Sequence, residues 1–250
     1  MLKLKLVYCP MPIVYLAVLS FLSSILGTIT GFGISTVMVP IVLLFLPLPE
    51  TLLLVGVVHW FGDLWKVFLF KHGIHWKILL FFGIPGIITG IGGAYLALKL
   101  PAAFLSMFIG AILVAYVIFL LLKPDFKLKA TPLAAMLGGG GSGLLGGMTG
   151  IGGGALRSIV LTAFGLPKSI YLFTSGLIGF VIDASRITTY FAGGVRLERN
   201  LLLGLILFIF LSFIGAKIGK TIVNKIPQER FRGVIGFFLF ILGVKLFFFP

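Results

Sequence analysis

The sequence predicts an all-α integral membrane protein, and two observations lead to that prediction. Of the 250 residues, 60% are hydrophobic and 10% are charged, whereas a soluble domain carries roughly 25% charged residues. The hydrophobic residues are gathered into runs, several of which have about the 20 residues that a helix needs to span a bilayer. Such a chain has too little polar surface for a water-soluble fold.

The charge and the reactive side chains exclude several other classes of protein. One cysteine (Cys9), three histidines and six acidic residues leave no disulfide framework and little material for a multi-ligand metal site. His72 and His75 share a loop, but no cysteine or acid stands near them. The net charge of +14 comes mostly from basic residues between the hydrophobic runs, as in loops at an anionic membrane surface. We therefore predict a lipid bilayer as partner, no nucleic acid and no cofactor, and leave a homo-oligomer open.

The hydrophobic runs form two sets of five, which predicts two transmembrane repeats, 1–124 and 125–250, within one transport domain. In each set the second run is short and follows a glycine cluster, so we expect a broken or re-entrant helix there. The runs lie at residues 11–27, 34–46, 51–70, 77–98, 103–122, 132–147, 155–166, 170–191, 201–222 and 231–249.

Matching motifs at a nearly constant spacing indicate that the two halves arose by duplication. The Gly-x-Gly motif at 31–33 recurs at 150–152, and the pair Asp63–Lys66 recurs as Asp183–Arg186. Internal repeats are typical of secondary transporters. Five elements per half predict inverted repeats. With the N-terminus outside, that arrangement places more loop lysines and arginines in the cytoplasm than a parallel one does.

Glycine clusters precede both short runs and are candidate anion sites. Glycine lets a ligand approach the backbone closely, and a helix that begins after such a loop directs N–H groups and a partial positive charge at the ligand. Close helix packing is the alternative, which we favour for Gly86, Gly90 and Gly93 in another run. The candidates for substrate binding in the two clusters are Gly31, Gly33, Ser35, Gly150, Gly152, Gly153 and Gly154.

Charged side chains in the middle of two hydrophobic runs are the second candidate feature. A carboxylate at mid-membrane costs about 3 kcal/mol, so it requires a partner or water, and a cation follows each aspartate by three residues on the same helical face. A neutral ion pair that fixes each helix is one interpretation. In the other, Arg157, Lys66 or Arg186 neutralises a bound anion while an aspartate or a histidine carries a proton. The residues assigned to proton coupling or buried charge are His59, Asp63, Lys66, Asp183 and Tyr190.

The two halves resemble the TauE/SafE family of sulfite exporters, also called the toluene-sulfonate uptake permease group. The second half is the closer match, since residues 150–154 look like the family's glycine loop and Thr174-Ser175 looks like its Thr-Ser pair. The residues 183–186, Asp-Ala-Ser-Arg, and Tyr190 follow. The first half lacks the glycine triplet and has Leu54-Val55 in place of Thr-Ser. The resemblance adds Thr174 and Ser175 to the candidate substrate-binding residues.

The resemblance implies a secondary transporter of small anions (sulfite, a sulfonate or a related oxyanion) in the cytoplasmic membrane of a prokaryote, with or without proton coupling. The residues alone leave two alternatives, a passive anion channel and a membrane-embedded enzyme. An enzyme would require an acid–base or nucleophile cluster at one membrane face. The acids stand in mid-helix beside cations instead, so we predict no enzyme.

The inverted arrangement predicts that the basic loop at residues 123–129 faces the cytoplasm and that both termini face outside. A cysteine introduced at Lys127, in a chain with Cys9→Ser, should react with a membrane-impermeant maleimide only after cell lysis. The parent chain, whose Cys9 precedes the first run, is the matched control and should be labelled in intact cells. Labelling of position 127 without lysis would contradict this orientation.

Overall fold

A computed structural model describes residues 13–71, 74–122, 128–222, 225, 240–241 and 243–249. Cys9, His72, the loop residues 123–127 and most of the last hydrophobic run lie outside the described residues. The regular structure within them is helical throughout, as predicted. In chain order the helices are α1 (Ile13–Thr30), α2 (Ser35–Val42), α3 (Leu48–Phe70), α4 (Trp76–Lys99), α5 (Ala102–Leu122), α6 (Pro132–Thr149), α7 (Gly152–Ala163), α8 (Lys168–Ala192) and α9 (Arg199–Ile222).

Within the described part of the chain, six helices are long and apolar enough to cross a membrane, namely α1, α3, α4, α5, α8 and α9. The helices α2 and α7 are short, with 8 and 12 residues, and each follows a glycine cluster, as the sequence predicts. Large apolar side chains such as Ile88 and Ile206 point away from the bundle, where lipid rather than water would surround them. The protein is therefore a multi-pass, all-α membrane protein.

Among the described helices, α1 to α4 pack with α6 to α9 in a pattern that is unchanged when the two halves are exchanged. Near the centre α3 packs against α8, and α2 meets α7. In matching fashion α1 packs against α9, and α6 packs against α4. The contacts of α4 with α8 and of α9 with α3 form a further matching pair. A duplicated chain would produce this pattern, while the duplication, its limits and the inverted orientation stay predictions.

Each short helix is separated from the helix before it by a sharp turn on glycine. Gly31 and Gly150 have φ angles of 77° and 73°, in the left-handed region that favours glycine. The amide of each donates to the carbonyl four residues earlier, at Gly27 (3.0 Å) and Gly146 (2.9 Å). The helices α1 and α6 therefore end in equivalent turns, and the chain changes direction at the same place in both halves.

A threonine hydroxyl in each turn satisfies the backbone groups that the break would leave unpaired. Thr149 Oγ1 accepts from the amides of Ile151 and Gly152, both at 3.3 Å, and Thr30 Oγ1 accepts from the amide of Phe32 at 3.3 Å. Non-helical backbone at membrane depth is tolerated where the protein itself provides partners. These threonines explain how both breaks persist inside the bundle.

Glycines bring α4 and α6 into backbone contact. A Cβ atom at Gly93 would stand 2.9 Å from the amide nitrogen of Met148. Cβ atoms at Gly86 and Gly90 would stand 3.2 and 3.7 Å from carbonyl oxygens of α6. Small residues that let backbones approach are the usual basis of helix pairing in membranes. The packing role predicted for Gly86 and Gly93 is confirmed. A Cβ atom at Gly90 would stand at ordinary contact distances, and the carbonyl of Gly90 lies where a Cβ atom at Gly147 would overlap it.

The substitution Gly93→Ala should lower the thermal stability of the protein, whereas Gly92→Ala should not. A Cβ atom at Gly92 would meet nothing within 4 Å, and alanine is favoured over glycine in a helix by roughly 0.5–1 kcal/mol. At Gly93 the two helices must move apart, and overpacking typically costs about 1–3 kcal/mol. The measurement is the midpoint temperature of thermal unfolding, determined for both variants in the same detergent. Equal midpoints would contradict the packing role of Gly93.

Candidate functional site

Six ionisable side chains of the described residues meet inside the helix bundle, and we call them the charged cluster. None is more than 5% exposed. They stand well inside their helices, since Asp63 and Asp183 lie about 10 and 14 Å from the nearer helix end at 1.5 Å per residue. The cluster consists of His59, Asp63 and Lys66 from α3, Arg157 from α7, and Asp183 and Arg186 from α8.

Each aspartate of the cluster forms an ion pair within its own helix. Lys66 Nζ lies 2.7 Å from Asp63 Oδ1, and Arg186 Nε lies 2.7 Å from Asp183 Oδ1. Both pairs have the three-residue spacing from which the sequence predicted them. At full burial neither charge of a pair has water as an alternative partner, so removing one member would strand the other.

Arg157 joins the two halves by a second ion pair to Asp63. Its Nη2 donates to Asp63 Oδ2 at 3.0 Å, and its Nε donates to Ser175 Oγ at 3.0 Å. Gly179 makes room for this contact, because a Cβ atom there would overlap both the Asp63 carboxylate and the Arg157 guanidinium. Both oxygens of Asp63 are thus bound to cations, and the Ser175 predicted as a substrate ligand holds Arg157 in place.

His59 lies between the two aspartates. Its Nε2 is 3.6 Å from Asp63 Oδ1, and its Nδ1 is 3.7 Å from Asp183 Oδ2, which are longer than hydrogen bonds. Among the described residues, neither ring nitrogen has a hydrogen-bond partner, nor do Asp183 Oδ2 and Arg186 Nη1. Buried polar atoms are nearly always paired in native structures. The unpaired atoms therefore mark where water, a proton or a ligand would complete the cluster.

Both glycine clusters reach the charged cluster. A Cβ atom at Gly33 would overlap the His59 ring, and one at Gly150 would stand 3.8 Å from Arg186 Nη1. The two glycine clusters also touch each other, because a Cβ atom at Gly154 would overlap the carbonyl of Phe32. The structure thus brings together the glycine motifs and the buried charges that the sequence suggested separately.

Two of the glycines have a packing reason that the sequence did not reveal. A Cβ atom at Gly152 would stand 2.7 Å from the Leu145 side chain, and one at Gly153 would stand 2.7 Å from the Ser142 carbonyl, both on α6. The Gly152 amide already donates to Thr149. These positions hold α7 against α6, and we no longer expect their amides to be the main hosts of an anion.

The remaining predicted residues occupy different surroundings. Ser35 Oγ and Thr174 Oγ1 are buried without a hydrogen-bond partner among the described residues. The Tyr190 hydroxyl donates to the Gly147 carbonyl, so it ties α8 to α6 one helical turn beyond Arg186. Ser175, Gly179, Asp183, Arg186 and Tyr190 are all buried, which fits their prediction as a polar stripe facing the bundle interior.

Sequence reasoning missed a second set of polar contacts at the breaks. Ser158 Oγ donates to the Gly31 carbonyl at 2.7 Å and accepts from the Tyr171 hydroxyl at 2.7 Å. Thr30 and Thr149, which support the two turns, were also missed. Their signal was present, because a threonine directly precedes the first glycine of the Gly-x-Gly motif in each half.

The cluster carries an excess of positive charge. With His59 neutral, three cations face two carboxylates, so the sum over the described members is +1. One donor atom from each of His59, Asp63 and Asp183 lies within 4.8 Å of the others. A metal ion between them would be repelled by the cations already on those carboxylates. An uncompensated charge is expensive away from water, so the cluster as a whole attracts an anion.

Comparison with known proteins agrees with this architecture. A family model described as sulfite exporter TauE/SafE matches residues 16–246, which is nearly the whole chain. Among curated proteins, none matches the chain. The match covers both glycine motifs and all members of the charged cluster. The chain therefore belongs to the sulfite exporter TauE/SafE family of membrane transporters.

Proposed function

We propose that the protein is a secondary transporter that moves a small oxyanion or sulfonate across the cytoplasmic membrane of a prokaryote, coupled to protons. The charged cluster is its substrate site. Sulfite is the first candidate substrate because the family description names it.

The observation that carries the proposal is the buried excess of positive charge beside an unpaired donor. Arg186 Nε donates a hydrogen bond to Asp183 Oδ1, while Arg186 Nη1 has no hydrogen-bond partner among the described residues. A guanidinium N–H without a partner in a buried site is suited to bind an oxyanion, because hydrogen bonds between charged groups are stronger than those between neutral groups. An anion at this position would also neutralise the cluster.

The burial of the cluster favours a transporter over a channel or an enzyme. At no more than 5% exposure, its members cannot be reached by an anion from either side without movement of the helices. The side chains come from both halves of the bundle, which is where alternating-access transporters hold their substrates. The acids are paired with cations rather than left available for acid–base chemistry at a membrane face.

Proton coupling is supported by the buried atoms at Asp183 and His59 that have no hydrogen-bond partner among the described residues. Asp183 Oδ2 and the unprotonated ring nitrogen of His59 can each accept a proton, whereas Asp63 is held by two cations. Asp183 is also the most exposed member of the cluster, at 5%. Proton relays in membrane proteins are typically built from such buried carboxylates and histidines.

Purified protein in proteoliposomes should bind and transport radiolabelled sulfite, sulfate and a simple sulfonate, and sulfite and sulfate should accumulate against their concentration gradients when a proton gradient is imposed. A proton ionophore should abolish the accumulation. Flux that only dissipates the anion gradient would indicate a passive channel. Absence of both binding and flux for all three anions would refute an anion site in the charged cluster.

Removal of the Asp183–Arg186 pair should weaken anion binding while leaving the protein folded. The double substitution Asp183→Asn with Arg186→Gln removes one charge of each sign, so it avoids most of the penalty for a stranded charge. The loss of a charged donor is worth about 1.5–3 kcal/mol, or roughly 10- to 150-fold in affinity. Calorimetric titration measures the affinity, and thermal unfolding reports the fold.

Arg196 offers a control outside the charged cluster. It is an exposed arginine whose Nη1 donates to the carbonyls of Phe191 and Val195, so its removal takes away one guanidinium and leaves the cluster intact. The variant Arg196→Gln should keep its affinity within a few-fold. The pair Asp63–Lys66 would not serve, because Asp63 also holds Arg157 at 3.0 Å. Near wild-type affinity in the folded Asp183–Arg186 variant would overturn the assignment of Arg186.

A further inference from the structure

We infer that His59 matches the charge of the site to the charge of the substrate, so that a proton accompanies a divalent anion but not a monovalent one. This inference rests on the proposed anion site and adds a coupling rule to it. The rule follows from the position of one imidazole between two carboxylates that belong to different halves of the chain.

His59 is surrounded on several sides by charged groups of fixed sign. Its own helix presents Asp63 and Lys66, α8 presents Asp183 and Arg186, and α7 presents Arg157 next to Asp63. The glycine clusters approach the ring through Gly33 and Gly154, which bring no ionisable group. Histidine is the side chain whose charge ordinarily changes near neutral pH. We therefore treat His59 as the adjustable charge of the cluster.

Charge neutrality gives the rule. With neutral His59 the described members of the cluster sum to +1, which a monovalent sulfonate brings to zero. A divalent oxyanion would leave the site at −1, and a proton on His59 restores zero. Because a buried uncompensated charge is strongly unfavourable, the divalent anion and the proton should bind together. In both cases one negative charge moves with each substrate.

The hydrogen-bonding capacity of the ring supports the same rule. A neutral imidazole donates from one nitrogen only, so the second carboxylate would face a lone pair. A protonated ring donates from both nitrogens and can pair with Asp63 and Asp183 after a contraction from the present 3.6 and 3.7 Å. Asp183 would then have a second cationic partner, and Arg186 could turn more of its guanidinium toward the anion.

Titration of the purified protein with sulfate and with methanesulfonate at several pH values tests the rule. Sulfate stays divalent and methanesulfonate monovalent over the range used. If one proton binds with each sulfate, sulfate affinity should fall by up to about tenfold for each unit by which the pH is raised, because the proton that binds with sulfate becomes scarcer. Methanesulfonate affinity should stay nearly constant. Sulfate affinity that does not change with pH, or sulfate that fails to bind at low pH where methanesulfonate binds, would overturn the inference.

In the variant His59→Gln the side chain at position 59 is neutral at every pH. The sulfate affinity of this variant, measured relative to its methanesulfonate affinity, should become weak and independent of pH. His75→Gln is the matched control, because His75 is exposed and remote in sequence from the cluster. An unchanged pH dependence for sulfate in folded His59→Gln would overturn the role of His59.

Flux measurements on the parent protein test the rule without any variant. Proteoliposomes that contain a pH-sensitive dye should take up one proton per sulfate and none per methanesulfonate, with equal charge moved per anion. One proton per anion for both substrates, or none for both, would contradict the rule while leaving the anion site intact. Absence of binding for both anions would instead remove the proposed function itself.

Discussion

A charge inside a membrane protein must be neutralised by a neighbour or by a ligand, and the centre of this bundle is arranged around that constraint. The helices α3 and α8 each carry an aspartate and a cation in mid-helix, and they pack against each other. One turn before the aspartates, the Trp60 ring stacks on Phe180 at 4.7 Å, and its Nε1 donates to the Phe180 carbonyl at 2.9 Å. This contact fixes the crossing at which the charges of both halves meet.

Much of the fold and part of the site follow from local sequence patterns. The hydrophobic runs predict the helices, a glycine cluster predicts each short helix, and a three-residue spacing predicts each ion pair. These features depend on neighbours within one or two turns, so periodicity and spacing reveal them. The contact between Arg157 and Asp63 joins residues 94 positions apart and depends on the absence of a side chain at Gly179. No local pattern encodes such a contact.

The glycine clusters illustrate a second limit of sequence reasoning. The sequence favoured an anion site built from backbone amides, because glycine permits close approach by a ligand. Glycine equally permits close approach by another helix, and at Gly152 and Gly153 the structure has α6 in that position. The same residue type serves both purposes, so only the packing of the helices distinguishes them. The backbone of the second turn is largely occupied by Thr149, and the side chains of the charged cluster remain as candidate hosts.

The two halves place different side chains on similar frames, and the difference separates a fixed part of the cluster from an adjustable part. At the spacing that relates Asp63 to Asp183, His59 corresponds to Gly179, and Arg157 falls opposite the buried Val37. His59 lies at similar distances from both aspartates, 3.6 Å from Asp63 and 3.7 Å from Asp183. Asp63 has two further cationic partners, Lys66 and Arg157, whereas among the described residues Asp183 has one, Arg186. Saturated contacts make the Asp63 side a rigid anchor between the halves. The unsaturated contacts at Asp183 leave room for a ligand and a proton. A transporter needs both properties at one place, because a site that is fully paired binds nothing, and one that is fully unpaired would not survive in the membrane interior.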